Sequence, residues 1–125
     1  MRILIVEDSP LVQRMYGLAF PHRLHQLVTA PNGREALAIL DTALEPFDLI
    51  LLDLRMPDMN GVEFLSALQR RPTAMIPVVL TTAEAPDSRL VAEARALGPA
   101  AVVHKPWKPL ALQEVVRQVL PEAIV

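Results

Sequence analysis

The stretch FDLILLDLRMPDMNG, residues 47–61, decides the fold. An almost purely apolar run stops at Asp53, the chain breaks at Pro57, and Asn60-Gly61 reads as a turn. Positions 49–52 are apolar one after another, without polar alternation, which is how a strand covered on both faces looks. Such a strand belongs in a parallel sheet between two helical layers.

Working outward, the same kind of run recurs as RILIV (2–6), QLVTA (26–30), DLILL itself (48–52), PVVLT (77–81) and AAVVH (100–104). Between the runs lie segments with apolar residues three and four positions apart: Leu11, Met15, Leu18; Leu37, Leu40, Leu44; Val62, Leu65, Leu68; Leu90, Ala94, Leu97; and Leu112, Val115, Val116, Val119. Ser9-Pro10 reads as N-cap and first helical residue, Asn32-Gly33 opens the second helix, Gly98-Pro99 stops the fourth, and Pro109 starts the fifth. Five repeats of strand then helix, joined by right-handed crossovers, predict an α/β domain with a doubly wound five-stranded parallel sheet and helices on both faces.

Composition is consistent with one domain spanning residues 1–125, long enough to fold on a hydrophobic core without a metal or disulfide staple. Cysteine is absent, which excludes a disulfide framework and a thiolate metal site. A net charge of -2 gives no long-range attraction to nucleic acid or an anionic membrane, and no basic stripe or recognition helix stands out. The apolar runs are strand-sized and MRILIVED carries charge too early for a signal peptide, so a cytoplasmic setting is expected.

In open α/β sheets ligands bind outside the carboxyl ends of the strands. Glu7 and Asp8 follow the first run, Asp53 the third, Thr81, Thr82 and Ala83 close the fourth, and Lys105-Pro106 follow the fifth. Three carboxylates about 5 Å apart would repel by roughly 3 kcal/mol per pair at an effective dielectric near 20. A hard divalent cation offsets that, and few protein ligands with retained water suit Mg²⁺ better than Ca²⁺. Lys105, the Thr82 hydroxyl and the next backbone N–H add donors for an anion. Metal, ammonium and donors around one carboxylate are what phosphoryl transfer needs, with Asp53 as nucleophile.

The blocks ILIVED, LILLDLRMPDMNG, VVLTTAE and VVHKPW, in that order, closely resemble the receiver domain of two-component response regulators. The resemblance covers the whole chain and implies a flavodoxin-like sheet of order 2-1-3-4-5. It implies a phosphorylation-controlled signalling switch in which Asp53 takes a phosphoryl group from the phosphohistidine of a histidine kinase or phosphotransfer protein, with Mg²⁺ as cofactor. By position, Asp8, Asp53 and the backbone carbonyl of Arg55 would ligate the metal, with Glu7 acting through a coordinated water. Thr82, Ala83 and Lys105 would hold phosphoryl oxygens, and the Lys105-Pro106 bond is expected to be cis, against a base rate of about 5–6%. A domain of this kind catalyses only its own phosphorylation and dephosphorylation. It would signal through the face of the fourth helix, fifth strand and fifth helix, with dimerisation on activation among its partner interactions.

Each residue also has a plainer reading. Asp8 could cap the first helix, although Ser9 fills that place; Lys105 could be a solvated lysine, Asp53 a turn residue ahead of Pro57, and Thr82 ordinary strand-end packing. Strand alternation lets only one of Thr81 and Thr82 readily reach the crevice, and the resemblance selects Thr82, ahead of the small Ala83. His22, His25 and His104 lack ligand spacing, and Met56, Met59 and Met75 read as gap-fillers.

One position departs from the receiver pattern. Three residues before the lysine, where receivers often carry an aromatic, stands Val102, while Trp107 replaces the more usual phenylalanine after Lys105-Pro106. Trp107 reads as packing at the start of the last helix or as a partner contact. Two other function classes compete. An aspartyl-nucleophile phosphatase would carry a second aspartate two residues after the first, where Arg55 stands; a partner-binding module without phosphorylation would have no need of the full Glu7, Asp8, Asp53 and Lys105 set.

Overall fold

A computed structural model describes residues 1–123. Five strands, β1 (Arg2–Val6), β2 (Gln26–Ala30), β3 (Leu49–Asp53), β4 (Val78–Thr82) and β5 (Ala101–His104), form one parallel sheet in the order β2-β1-β3-β4-β5. Helices α1 (Pro10–Ala19), α2 (Gly33–Thr42), α3 (Gly61–Leu68), α4 (Arg89–Arg95) and α5 (Pro109–Val119) connect or follow them. This is the doubly wound α/β architecture expected from the runs, with the flavodoxin-like strand order that the receiver resemblance implies.

Strand β3 explains itself. Leu49, Ile50, Leu51 and Leu52 are each fully buried, so side chains pointing both ways leave water, each worth about 1.5–3 kcal/mol of transfer free energy. Alternate positions sort into two layers. Leu4, Val6, Ile50, Leu52, Val78 and Leu80 face α2, α3 and α4, together with Leu37, Leu40, Phe64, Leu65 and Val91. Ile3, Ile5, Leu49, Leu51 and Val79 face α1 and α5, together with Tyr16, Phe20, Trp107, Leu112 and Val116.

Helix starts follow the expected chemistry. Ser9 caps α1 by accepting from the Val12 N–H, and Asn32 caps α2 through the Glu35 N–H. Asn60 and Glu63 exchange side-chain and backbone bonds in a capping box at α3. Asn60-Gly61 therefore opens a helix, and the turn lies before it, where Asp58 has a φ of 68°. Gly61 is required by contact: a Cβ there would sit 2.7 Å from Leu54 Cδ2 and 2.9 Å from the Asp53 carbonyl oxygen.

Four expectations are corrected. The third and fourth strands lie one residue later than the apolar runs, because Asp53 and Thr82 still pair in the ladder. Leu11 and Leu18 are not on the buried stripe of α1: they are 66% and 69% exposed, and the inner positions are Val12, Tyr16 and Ala19. Leu44 lies beyond the end of α2 and is fully exposed. Met56 and Met59 pack on the α2–α4 layer, whereas Met75 ends an unexpected 3₁₀ turn (Pro72–Met75) and is 92% exposed, filling no gap.

Candidate functional site

The carboxyl ends of β1 and β3 bring three acids together. Ligand oxygens of Glu7, Asp8 and Asp53 all lie within 4.8 Å of one another. Glu7 and Asp53 are buried and Asp8 is exposed, so the cluster has an inner wall and an open mouth. Loop geometry holds Glu7: its N–H donates to the Ala30 carbonyl at 3.0 Å, Gln13 donates back to the Glu7 carbonyl at 2.7 Å, and the Ser9 N–H reaches Glu7 Oε2 at 3.2 Å.

Lys105 enters from the end of β5. Its Nζ donates to Glu7 Oε1 at 2.7 Å and lies 3.5 Å from Asp53 Oδ1. The loop is tied to β4 by the Lys105 N–H donating to the Thr82 carbonyl at 2.7 Å, and the Lys105-Pro106 bond is cis. One ammonium does not balance three carboxylates. Burial pushes the carboxyl groups of Glu7 and Asp53 above their ordinary range despite the lysine, with the neighbouring acid adding to the push in each case. A buried, oxygen-only, negatively biased cluster with an exposed rim fits a hard divalent cation.

The two threonines at the end of β4 part company. Thr81 pairs in register with Asp53, and its hydroxyl shares a 2.6 Å hydrogen bond with the Tyr16 hydroxyl inside the α1–α5 layer. Thr82, one residue further along, is fully buried and its Oγ1 accepts from the Glu84 N–H at 3.0 Å. Ala83 beyond it is exposed. Arg55, two residues after Asp53, donates to Glu84 Oε1 at 3.0 Å, so the loops after β3 and β4 are bridged at the mouth. Glu84 also accepts from the Ser88 hydroxyl at 3.4 Å. That bridge was not foreseen; acid and base on adjacent loops were the only sequence signal.

Val102 packs against the α2–α4 layer. Trp107 is 6% exposed and lies against Tyr16, ring centroids 4.9 Å apart, so its packing role has the geometry and little of its surface faces solvent. His25 is buried under Phe20 with Nδ1 at the amino terminus, and His104 Nδ1 lies 3.3 Å from the Glu84 carbonyl; neither adds to the acidic cluster. Among the described residues no helix is long and apolar enough to cross a membrane.

Residues 3–117 match the family model of the response regulator receiver domain. The chain belongs to that family. This receiver domain is 36% identical over 119 residues to the regulatory protein AtoC of Escherichia coli, covering 95% of this chain and 25% of that one. It is likewise 36% identical to a protein-glutamate methylesterase/protein-glutamine glutaminase of Geobacillus kaustophilus, covering 89% of this chain and 32% of the relative. It thus spans about a quarter to a third of these two relatives. Among solved structures, chemotaxis protein CheY4 of Vibrio cholerae superposes with a TM-score of 0.84 at 31% identity, over 95% of this chain and 98% of that one. The signal receiver domain of a histidine kinase from Syntrophus aciditrophicus gives 0.83 at 33%, over 99% and 96%. A receiver domain is a phosphorylation-controlled signalling module, and the acidic cluster at the sheet edge is where its chemistry would sit.

Proposed function

We propose that this receiver domain accepts a phosphoryl group on Asp53 from the phosphohistidine of a histidine kinase or phosphotransfer protein, in a Mg²⁺-dependent reaction in the cytoplasm. The observation that carries the reading is the buried Asp53 carboxylate between two other acids and the Lys105 ammonium. Asp8, Asp53 and the Arg55 carbonyl would hold the metal, with Glu7 behind them. Bound there, Mg²⁺ would neutralise charge on the transferring phosphoryl oxygens.

The chain's own residues do the rest. An Asp53 carboxylate oxygen forms a bond to phosphorus as the P–N bond to the donor imidazole breaks, and the imidazole leaves with that electron pair. Lys105, already within 3.5 Å of Asp53, turns from Glu7 toward a phosphoryl oxygen. Thr82 stands one residue beyond the level of Asp53 on the neighbouring strand, where a group attached to the carboxylate would extend. Its hydroxyl accepts from Glu84 and keeps its proton to donate; the Ala83 N–H adds a second donor, and a larger side chain at Ala83 would hinder entry. The added charge then biases an equilibrium at the α4–β5–α5 face, Val102 included, on which partners or a second copy act.

The test is intact mass after incubation with acetyl phosphate and Mg²⁺. One added phosphoryl group is expected, and none in Asp53→Asn or in EDTA. An adduct that survives Asp53→Asn would overturn the assignment. Failure of the folded wild type to gain an adduct and to bind Mg²⁺ with beryllofluoride would favour a partner-binding module instead.

A further inference from the structure

We propose that Tyr16 is a positioning residue for this site: through its hydroxyl on Thr81 and its ring on Trp107, it sets β4 and the Lys105 loop at the spacing the phosphorylated form requires. The inference rests on Asp53 being the phosphoacceptor. Tyr16 lies on α1, 1% exposed, in a layer otherwise filled by aliphatic and aromatic side chains. A phenylalanine would fill that place with no polar group to satisfy, whereas a buried hydroxyl costs free energy unless it is bonded. Here it is bonded to Thr81, and Thr81 is the register partner of Asp53.

The ring makes the second connection. Trp107 lies 4.9 Å away, tilted by 31°, two residues beyond Lys105. One side chain on α1 therefore touches both the strand beside Asp53 and the loop that delivers the ammonium. Val12, Met15, Ala83, Lys105, Pro106 and Trp107 line a mostly apolar cavity of about 240 Å³ at the same place, room into which the loop can shift when Lys105 changes partner. The phenol also sits in the field of Glu7 and Asp53; burial and these two charges all hold it protonated, and its bond to Thr81 opposes them without prevailing.

The experiment measures, by calorimetry, binding of Mg²⁺ alone and of beryllofluoride with saturating Mg²⁺, in wild type, Tyr16→Phe, Thr81→Val, Thr81→Ser and the Tyr16→Phe/Thr81→Val double variant. Tyr16→Phe and Thr81→Val should each weaken beryllofluoride binding about threefold to tenfold, the scale of one net hydrogen bond, with Mg²⁺ binding unchanged within about twofold. Thr81→Ser should restore binding, and the double variant should be no weaker than either single one, because both changes remove the same bond. Wild-type beryllofluoride affinity in Tyr16→Phe, equal losses for Mg²⁺ alone, or additive losses in the double variant would overturn the inference while leaving Asp53 as phosphoacceptor. A wild type that binds no beryllofluoride would overturn both. Should Tyr16→Phe fail to fold, the Thr81 pair decides.

Discussion

The two layers that cover the sheet are built for different tasks. Toward α2, α3 and α4 the buried side chains are aliphatic apart from two phenylalanines, and the strand positions stay apolar through Val6, Leu52 and Leu80. Toward α1 and α5 the alternate positions of the same strands run Ile3, Ile5, Glu7; Leu49, Leu51, Asp53; and Val79, Thr81, and the layer holds Tyr16 and Trp107. One layer ends in hydrocarbon except at the buried Thr82, which alternation puts on the side of Val78 and Leu80; the other ends in carboxylates and the Thr81 hydroxyl. A parallel sheet permits this because its two faces are filled by alternate residues, so one face can be given mostly to stability and the other mostly to chemistry, with Thr82 the exception.

The largest break of that contrast is Leu52→Ala. Leu52 is fully buried on the aliphatic face of the central strand, and removing three carbons there should cost about 2–5 kcal/mol in denaturant unfolding. The loss should be the same with and without Mg²⁺. A loss that Mg²⁺ cancels would show that this face also supports the site.

Gly61→Ala tests the seam between the faces. The new Cβ would press on the Asp53 carbonyl oxygen and the Leu54 Cα, each 2.9 Å away and both backbone. Overpacking of this kind costs about 1–3 kcal/mol. Because the displaced backbone carries Asp53, the rate of adduct formation should fall as well, whereas Leu52→Ala should leave the rate per folded molecule nearly unchanged.

The polar face also carries its own pH dependence. Glu7 and Asp53 titrate above their unfolded values because burial disfavours their charged forms. The folded state then binds more protons than the unfolded one from about pH 4 up to the folded values, and stability falls as pH rises through that window, by at most about 1.4 kcal/mol per pH unit for each group. In EDTA, unfolding free energy should therefore decline with rising pH there, and Glu7→Gln should flatten the decline. Asp41, held low by the Arg71 guanidinium, acts oppositely and in a different window: its contribution is lost as pH falls through its folded value, below about 4. A Glu7→Gln profile that matches wild type would remove Glu7 from this account.

How legible was all this in the chain? Strands showed clearly, because consecutive apolar residues ending in Asp53 admit few readings, and cap residues at Ser9, Asn32 and Asn60 act within three positions of themselves. The set Glu7, Asp8, Asp53 and Lys105 was visible as polar residues at strand ends. Register was less so: Asp53 and Thr82 lie inside the ladder, since backbone pairing does not stop where hydrophobicity does. The Tyr16–Thr81 and Arg55–Glu84 pairs were invisible, being set by how α1 rotates and how two loops approach, neither of which leaves a local pattern.

Helix α1 shows that limit at its sharpest and carries the smallest prediction. Leu11, Met15 and Leu18 follow helical spacing well enough to suggest the inner stripe, yet of the three only Met15 packs on the core, partly buried beside Val12, Tyr16 and Ala19. Both stripes satisfy periodicity, because Val12 and Tyr16 are four apart just as Leu11 and Met15 are. Only the phenol, which finds a bond on Thr81, and the small Ala19, which lets the helix approach the sheet, separate the two. Leu18→Ala removes side-chain carbons that are already mostly in water, and its effect on unfolding free energy should stay within about 0.5 kcal/mol. A cost near the 2–5 kcal/mol of a buried leucine would put Leu18 in the core, rotate α1 by most of a residue's angle, and take Tyr16 away from Thr81.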